Sequence, residues 1–138
     1  PYERPMADAF IALRTAVGAD DELAVWALER RADGRFIGVI SLAFEPEIAS
    51  AELGYWTGVP FWNQGYTTEA GCAVLEHGFR TLGLASIISN HLTRNPASHR
   101  VMEKLGMRTE GVLRRRFRKW GVLEDLCHHS ILREEWEG

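Results

Sequence analysis

Between Thr57 and Thr68 the chain reads TGVPFWNQGYTT, a set of residue types suited to holding an anion by its oxygens. Gly58 and Pro60 interrupt a strand-like alternation in which Leu53, Tyr55 and Thr57 share one face and Glu52, Gly54 and Trp56 the other. Asn63, Gln64 and Gly65 then lead into a helical run opened by Thr67, Thr68 and Glu69. Strand, glycine loop and helix in that order aim free backbone N–H groups and the positive end of a helix dipole at one point. Gly65 has no Cβ to keep a phosphate off the backbone, and it tolerates positive φ. An ordinary turn capped by a threonine has the same local pattern.

A second candidate begins at Asn95-Pro96, where asparagine can accept from an early free N–H and proline fits the first helical position. Gly106 is a matching stop. Ala97, Val101 and Leu105 form an i, i+4, i+8 core line, which leaves Ser98 and Met102 together on the adjacent face. Asn95 is therefore a cap alone, or a cap that also touches a ligand.

The runs GYW from Gly54, WNQGYTTEA from Trp62 and NPASHRVMEKLGM from Asn95 to Met107 together resemble the GNAT superfamily of acetyl-CoA-dependent N-acetyltransferases. The closer likeness is to the branch that includes the Rim-type ribosomal-protein N-terminal acetyltransferases, and it extends to the closing ILREEW. It implies an α/β (α+β) fold: a mixed, mostly antiparallel sheet of about six strands, helices on both faces, and a splay between the family's fourth and fifth strands. The thioester of acetyl-CoA would lie in that splay, between the strands around Tyr55 to Gly58 and Ile87 to His91, so that Trp56, Thr57, Gly58 and Asn90 border the cofactor. One backbone N–H from Trp56 to Gly58 would face the oxyanion. Gln64, Gly65, Tyr66, Thr67 and Thr68 would hold the pyrophosphate, and Asn95 the pantetheine arm.

The family's pyrophosphate pattern has Arg or Gln, two residues, Gly, one residue, then Gly or Ala; here Trp62 and Thr67 fill the outer places around Gly65. Many members protonate the departing thiolate with a tyrosine where this chain has Met102, which cannot donate a proton. The Rim-type branch carries a serine one turn after the helix start, and Ser98 matches it as donor or sulfur-orienting group; it reads equally as a small helix-face residue. Glu52 is the candidate general base or a plain surface carboxylate. Phe117 stands where some Rim-type enzymes place a carboxylate, and Glu124, Asp125, His128 and His129 are weaker candidates. The implied acceptor is a primary amine: a protein N-terminal α-amine first, a polyamine, amino acid or antibiotic second. A catalytically idle coenzyme-binding or ribosome-associated module is the reading of a different class.

Positioning these residues requires a regular framework. Met6, Phe10, Leu13 and Val17 have helical spacing, and the chain opens at Pro1, so the family's first strand and first helix are expected to be missing. Strands are expected from Leu23 to Arg31, Phe36 to Phe44 and Ile48 to Thr57, with Asp33-Gly34 a two-residue hairpin signal. The second carries apolar residues on both faces and is expected to be central and covered on both sides. A helix from Thr67 to Leu82 presents Gly71, Leu75, Gly78, Phe79 and Leu82 on one face, and a strand from Leu84 to Leu92 implies a parallel, right-handed crossover. Strands Gly111–Lys119 and Val122–Leu132 close the sheet around Trp120-Gly121, with His128 and His129 on opposite faces. A bare edge around Ala24 to Leu28 would favour pairing, including a homodimer.

With 138 residues, 46% hydrophobic and 25% charged, the chain fits a single acetyltransferase domain spanning 1–138 with its own core. A net charge of −3 gives no general attraction to DNA or anionic lipid. The run Arg114, Arg115, Arg116, Phe117, Arg118, Lys119 alternates across a strand, so it reads as a solvated hairpin, or in part as a contact for the coenzyme's ribose phosphate, an acidic acceptor or ribosomal RNA. Cys72 and Cys127 lack paired spacing, and His77 has no partner at ligand spacing, so no metal is expected and a cytoplasmic location is. No apolar run approaches the ~20 residues that span a bilayer.

Overall fold

The computed structural model describes residues 22–138 in full, together with the backbone of a short strand at Ala9–Ala12. Its framework is one mixed sheet in the order β1-β2-β3-β4-β5-β7-β6. The strands are β1 (Ala9–Ala12), β2 (Leu23–Arg30), β3 (Phe36–Glu45), β4 (Ser50–Thr57), β5 (Ser86–Leu92), β6 (Arg108–Lys119) and β7 (Val122–Leu132). All neighbours are antiparallel except β4 and β5. The helices are α1 (Tyr66–Glu76), α2 (Pro96–Lys104) and α3 (Arg133–Glu137).

The helix expected over Met6 to Val17 is corrected at Ala9–Ala12, which is a strand paired with Ala27–Arg30; the rest of that span lies outside the described residues. Backbone pairing overrides the helical spacing of the side chains there, and of the Ala24 to Leu28 edge that was expected to be bare it covers Ala27 and Leu28. The β2–β3 turn is also longer than two residues. Arg31 to Arg35 form the loop, closed by Gly34 N–H donating to Arg30 O at 2.7 Å and Arg30 N–H to Arg35 O at 2.8 Å. Trp120-Gly121 is the true two-residue hairpin, with φ of 49° and 78° at its two positions.

Trp26, Leu28, Ile40, Leu42, Leu53 and Ile87 pack beneath α1 residues Ala70, Val74 and Leu75 to form the core. β3 is central but not symmetrically covered. On one face Ile40 and Leu42 are buried; on the other Ile37 is buried, Val39 and Ser41 are half-buried and Ala43 is exposed. α1 continues into a wider turn over His77–Thr81, where Leu82 N–H reaches His77 O, five residues back, at 3.0 Å. Gly71 and Gly78 allow this helical body to sit close: a Cβ at Gly71 would stand 2.9 Å from Leu105, and one at Gly78 2.9 Å from Ile87. Leu82, at the far end, is exposed rather than part of the buried face.

Candidate functional site

β4 and β5 hold parallel register only through Ser50↔Ser86, Ala51↔Ile87 and Glu52↔Ile88. Beyond that the ladder ends, with Ser89 Oγ donating to Leu53 O at 2.8 Å. The opened edge leads into a cleft of about 410 Å³ between the end of β4, the Phe61 to Thr68 turn and α2.

At one wall, Gly65 takes φ 82° and starts α1. The first intrahelical bond runs from Glu69 N–H to Gly65 O at 3.0 Å, so the N–H groups of Tyr66, Thr67 and Thr68 have no preceding helical carbonyl to meet. The helix dipole puts partial positive charge at the same place. Thr57 and Thr67 share a hydroxyl hydrogen bond of 2.6 Å that ties this terminus to β4, and Trp62 Nε1–H donates to Thr57 O at 2.7 Å. The Gln64 side chain instead turns back to Pro60 O at 2.9 Å and does not line the cleft.

The backbone of β4 narrows the oxyanion candidates. Gly58 N–H is already donated to Ile37 O at 2.9 Å. Strand alternation then directs Trp56 at Val39 of β3 and turns the N–H groups of Tyr55 and Thr57 toward the opened edge. Thr57 N–H is the donor this geometry leaves free of β3. Gly38 makes the approach of β3 possible, because a Cβ on it would lie 2.1 Å from Trp56 O.

Across the cleft, Asn95 Oδ1 accepts from Ser98 N–H at 3.2 Å, so the asparagine does cap α2. Ser98 Oγ lies 3.0 Å from Tyr55 Oη. Burial first raises the Tyr55 phenol above its ordinary value, and the Ser98 hydrogen bond partly offsets this, so the phenol is kept as a proton carrier. Met102 is fully buried in the core and absent from the cleft. The expected core line on α2 is corrected accordingly: Leu105 is buried, but Ala97 is exposed and Val101 half-buried, and both line the cleft while Met102 packs inward.

Two groups escaped the sequence reading. Tyr55 is one; its alternation with Leu53 and Thr57 marked its face, but only the fold brings Ser98 opposite. Arg100 and Lys104 are the other, one helical turn apart and both lining the cleft. Their i, i+4 spacing was the available signal. Arg114 to Arg118 lie on an exposed hairpin outside the cleft.

Glu52 and Asn90 sit on the opposite face of the sheet. Asn90 Nδ2 donates to Glu52 Oε1 at 3.1 Å, and His128 Nδ1 lies 2.8 Å from Asn90 Oδ1. Three neighbouring strands thus carry one polar chain behind the splay. His129, on the other side of β7 from His128, is completely buried. Glu124 pairs with Arg94 at 2.9 Å, tying β7 to the turn before α2, and Asp125 accepts from Arg115 N–H at 2.8 Å within the β6–β7 hairpin.

The acetyltransferase (GNAT) domain family matches residues 1–108. YdaF of Bacillus subtilis, provisionally named a ribosomal N-acetyltransferase, is 33% identical over 107 residues, covering 77% of this chain and 58% of its own. The FsC-acetyl coenzyme A-N(2)-transacetylase of Aspergillus fumigatus is 32% identical over 118 residues, covering 76% of this chain and 49% of its own. The chain thus spans about half the length of the curated relatives it matches. Among solved structures, a GNAT-family acetyltransferase from Bacillus anthracis superposes with a TM-score of 0.75 at 29% identity, covering 80% of this chain and 66% of that one.

Proposed function

The chain belongs to the GNAT acetyltransferase family, and from that premise we propose that it transfers the acetyl group of acetyl-CoA to a primary amine, most suitably a protein N-terminal α-amine. The supporting observation is a convergence in one cleft: the opened β4 edge, the Gly65 helix terminus and the Tyr55–Ser98 hydroxyl pair. The pantetheine arm extends along the opened main-chain edge of β4 at Tyr55, across from the β5 strand that carries Asn90, and reaches Asn95. The pyrophosphate rests on the N–H groups of Tyr66, Thr67 and Thr68, with Arg100 and Lys104 meeting the remaining phosphate charge. Gly65 keeps that wall low, and Gln64 holds the turn rather than the ligand.

The amine nitrogen attacks the thioester carbonyl carbon, and Thr57 N–H meets the charge that develops on oxygen. Collapse breaks the C–S bond. The sulfur leaves as thiolate and takes a proton from the Tyr55–Ser98 pair. The surplus proton on the amine passes to Glu52, directly or through water, with Asn90 and His128 behind that carboxylate.

The name of YdaF favours a ribosomal-protein acceptor, and that of the Aspergillus relative favours a small amine as the second reading. Calorimetric titration with acetyl-CoA, with an unrelated nucleotide as control, comes first, followed by thiol release against N-terminal peptides and polyamines. The proposal expects one-to-one binding and peptide-dependent thiol release. Release with polyamines alone moves the acceptor to the second class; saturable binding with no release from any amine leaves a coenzyme-binding module and overturns the catalytic reading.

A further inference from the structure

Behind α2, three histidines and a cysteine from separate elements face one another: His91 of β5, His99 of α2, and Cys127 and His129 of β7. His91 and Cys127 are directly opposite in the β5–β7 register, and His129, two residues on, shares their face. Their candidate ligand atoms all lie within 4.8 Å of one another. His91 Nε2 stands 2.9 Å from His129 Nε2 and 3.3 Å from His99 Nδ1.

The outward nitrogens are all engaged. His91 Nδ1 lies 2.7 Å from Leu92 O, His99 Nε2 3.1 Å from Glu103 Oε1, and His129 Nδ1 3.3 Å from Thr109 Oγ1. A carbonyl oxygen only accepts, so His91 keeps its proton on Nδ1 and turns a bare lone pair inward. His99 Nε2–H donates to the Glu103 carboxylate, so in the neutral ring, the form that binds a metal, Nδ1 is likewise bare. Two lone pairs therefore oppose each other at 3.3 Å. His129 can supply one inward N–H at most, and one proton cannot satisfy both acceptors. A cation at the centre satisfies all of them.

We infer that His91, His99, His129 and Cys127 form a tetrahedral site for a divalent cation of the zinc class, which pins α2 to the β5–β7 pair. Tetrahedral zinc with bonds of about 2.0–2.1 Å to nitrogen places those nitrogens roughly 3.3–3.4 Å apart; the His91–His99 pair already stands at 3.3 Å, and the His91–His129 pair, at 2.9 Å, must open slightly on binding. On binding, Cys127 Sγ gives its proton to solvent and coordinates as thiolate. The outer partners Leu92 O, Glu103 and Thr109 are the kind of hydrogen-bonding shell that orients metal-bound imidazoles. Three histidines and a thiolate fill the tetrahedron, so the site is structural. Linear spacing could not reveal it, because the ligands come from three elements, and the expectation of no metal rested on linear spacing. Its position one residue beyond Ser98 makes α2 placement at the cleft its consequence.

The test is to strip the full chain with a chelator and titrate it with Co²⁺, followed by competition with Zn²⁺. The expected result is one Co²⁺ per chain with the intense visible bands of tetrahedral coordination and a thiolate-to-cobalt charge-transfer band. Cys127→Ser removes the charge-transfer band. His99, with a side chain 37% exposed, is the ligand whose loss the fold best tolerates; His99→Ala lowers Zn²⁺ affinity by at least about 10-fold, and Glu103→Gln by about the same factor. His77→Ala, outside the cluster, leaves the affinity unchanged. Weak octahedral-type spectra, or Zn²⁺ affinity undiminished in His99→Ala, would overturn the proposal and leave hydrogen-bonded imidazoles only. Should Cys127→Ser fail to fold, the His99 and Glu103 variants still decide.

Discussion

In the proposed mechanism Ser98 and Tyr55 divide between them the proton donation expected of Ser98 alone. Ser98 is held by its place one turn into α2, with its N–H on the Asn95 cap, while Tyr55 reaches it from β4 at 3.0 Å. If the pair protonates the departing thiolate, Tyr55→Phe and Ser98→Ala each lower kcat by about 10²-fold, with acetyl-CoA affinity unchanged. The double variant falls little further, because the two act as one unit. A kcat unaltered in both single variants, measured by thiol release, returns the pair to a packing role. Tyr55 also makes a pH prediction. Its burial raises the phenol above the ordinary 10.0, so the neutral donor persists as pH rises through 10 and is lost only above it. Any alkaline fall in kcat below pH 10 then belongs to another group, and it survives in Tyr55→Phe. Gly65→Asp completes the residue scale. Aspartate tolerates the left-handed backbone at φ 82° better than most residues, so the fold persists, while its carboxylate repels the pyrophosphate. Calorimetry should find acetyl-CoA binding abolished; undiminished affinity would remove the helix terminus from the site.

The elements matter through how closely they approach. β3 can lie against the end of β4 only because Gly38 has no Cβ: an added methyl carbon would sit 2.1 Å from Trp56 O and 2.9 Å from Thr57 Cα. Both neighbours are backbone, so neither can rotate away. Gly38→Ala therefore displaces Trp56 and Thr57, and we expect about 1–3 kcal/mol lost in chemical denaturation. The same displacement moves Thr57 N–H, so acetyl-CoA turnover falls by more than the unfolded fraction explains. Gly71→Ala provides the contrast. Its nearest neighbours would be the end of the Leu105 side chain, Cδ1, Cδ2 and Cγ, which can shift, so the cost is smaller and falls on the packing of α1 against Leu105 rather than on the strand end. Such pairings were beyond a reading of spacing. Alternation gave the two faces of β4, the Asn95-Pro96 signal gave the start of α2, and the Gly65 pattern gave the helix terminus, because each is encoded within a few residues. The helical spacing of Met6 to Val17 misled at Ala9–Ala12, where pairing with β2 outweighs it. Tyr55 with Ser98, and the cluster at His91, join residues far apart in the chain, and only the sheet order brings them together.

At the scale of the molecule, charge is arranged against its own average. The net charge is −3, yet the cleft wall carries Arg100 and Lys104 and the β6–β7 hairpin carries Arg114 to Lys119. These two basic regions have different geometry and should answer to different ligands. The cleft cations stand beside the α1 terminus, where a polyphosphate gains from dipole and side chains together. The hairpin is solvent-exposed: Leu113↔Leu126 and Phe117↔Glu124 bracket a bulge in which Arg114, Arg115 and Arg116 face the single residue Asp125. Reversing the cleft pair with Arg100→Glu and Lys104→Glu should weaken acetyl-CoA binding by about 10-fold or more and flatten its salt dependence, since each lost contact removes a screened attraction. Reversing Arg114 and Arg116 should leave acetyl-CoA affinity within about 2-fold, because both are exposed, do not line the cleft, and act on it only through screening solvent. If an acidic protein surface is the acceptor, the hairpin variant instead raises KM for that acceptor while kcat at saturation holds. Equal loss of acetyl-CoA affinity in both variants would mean that the hairpin reaches the coenzyme and that the cleft is only part of the binding surface.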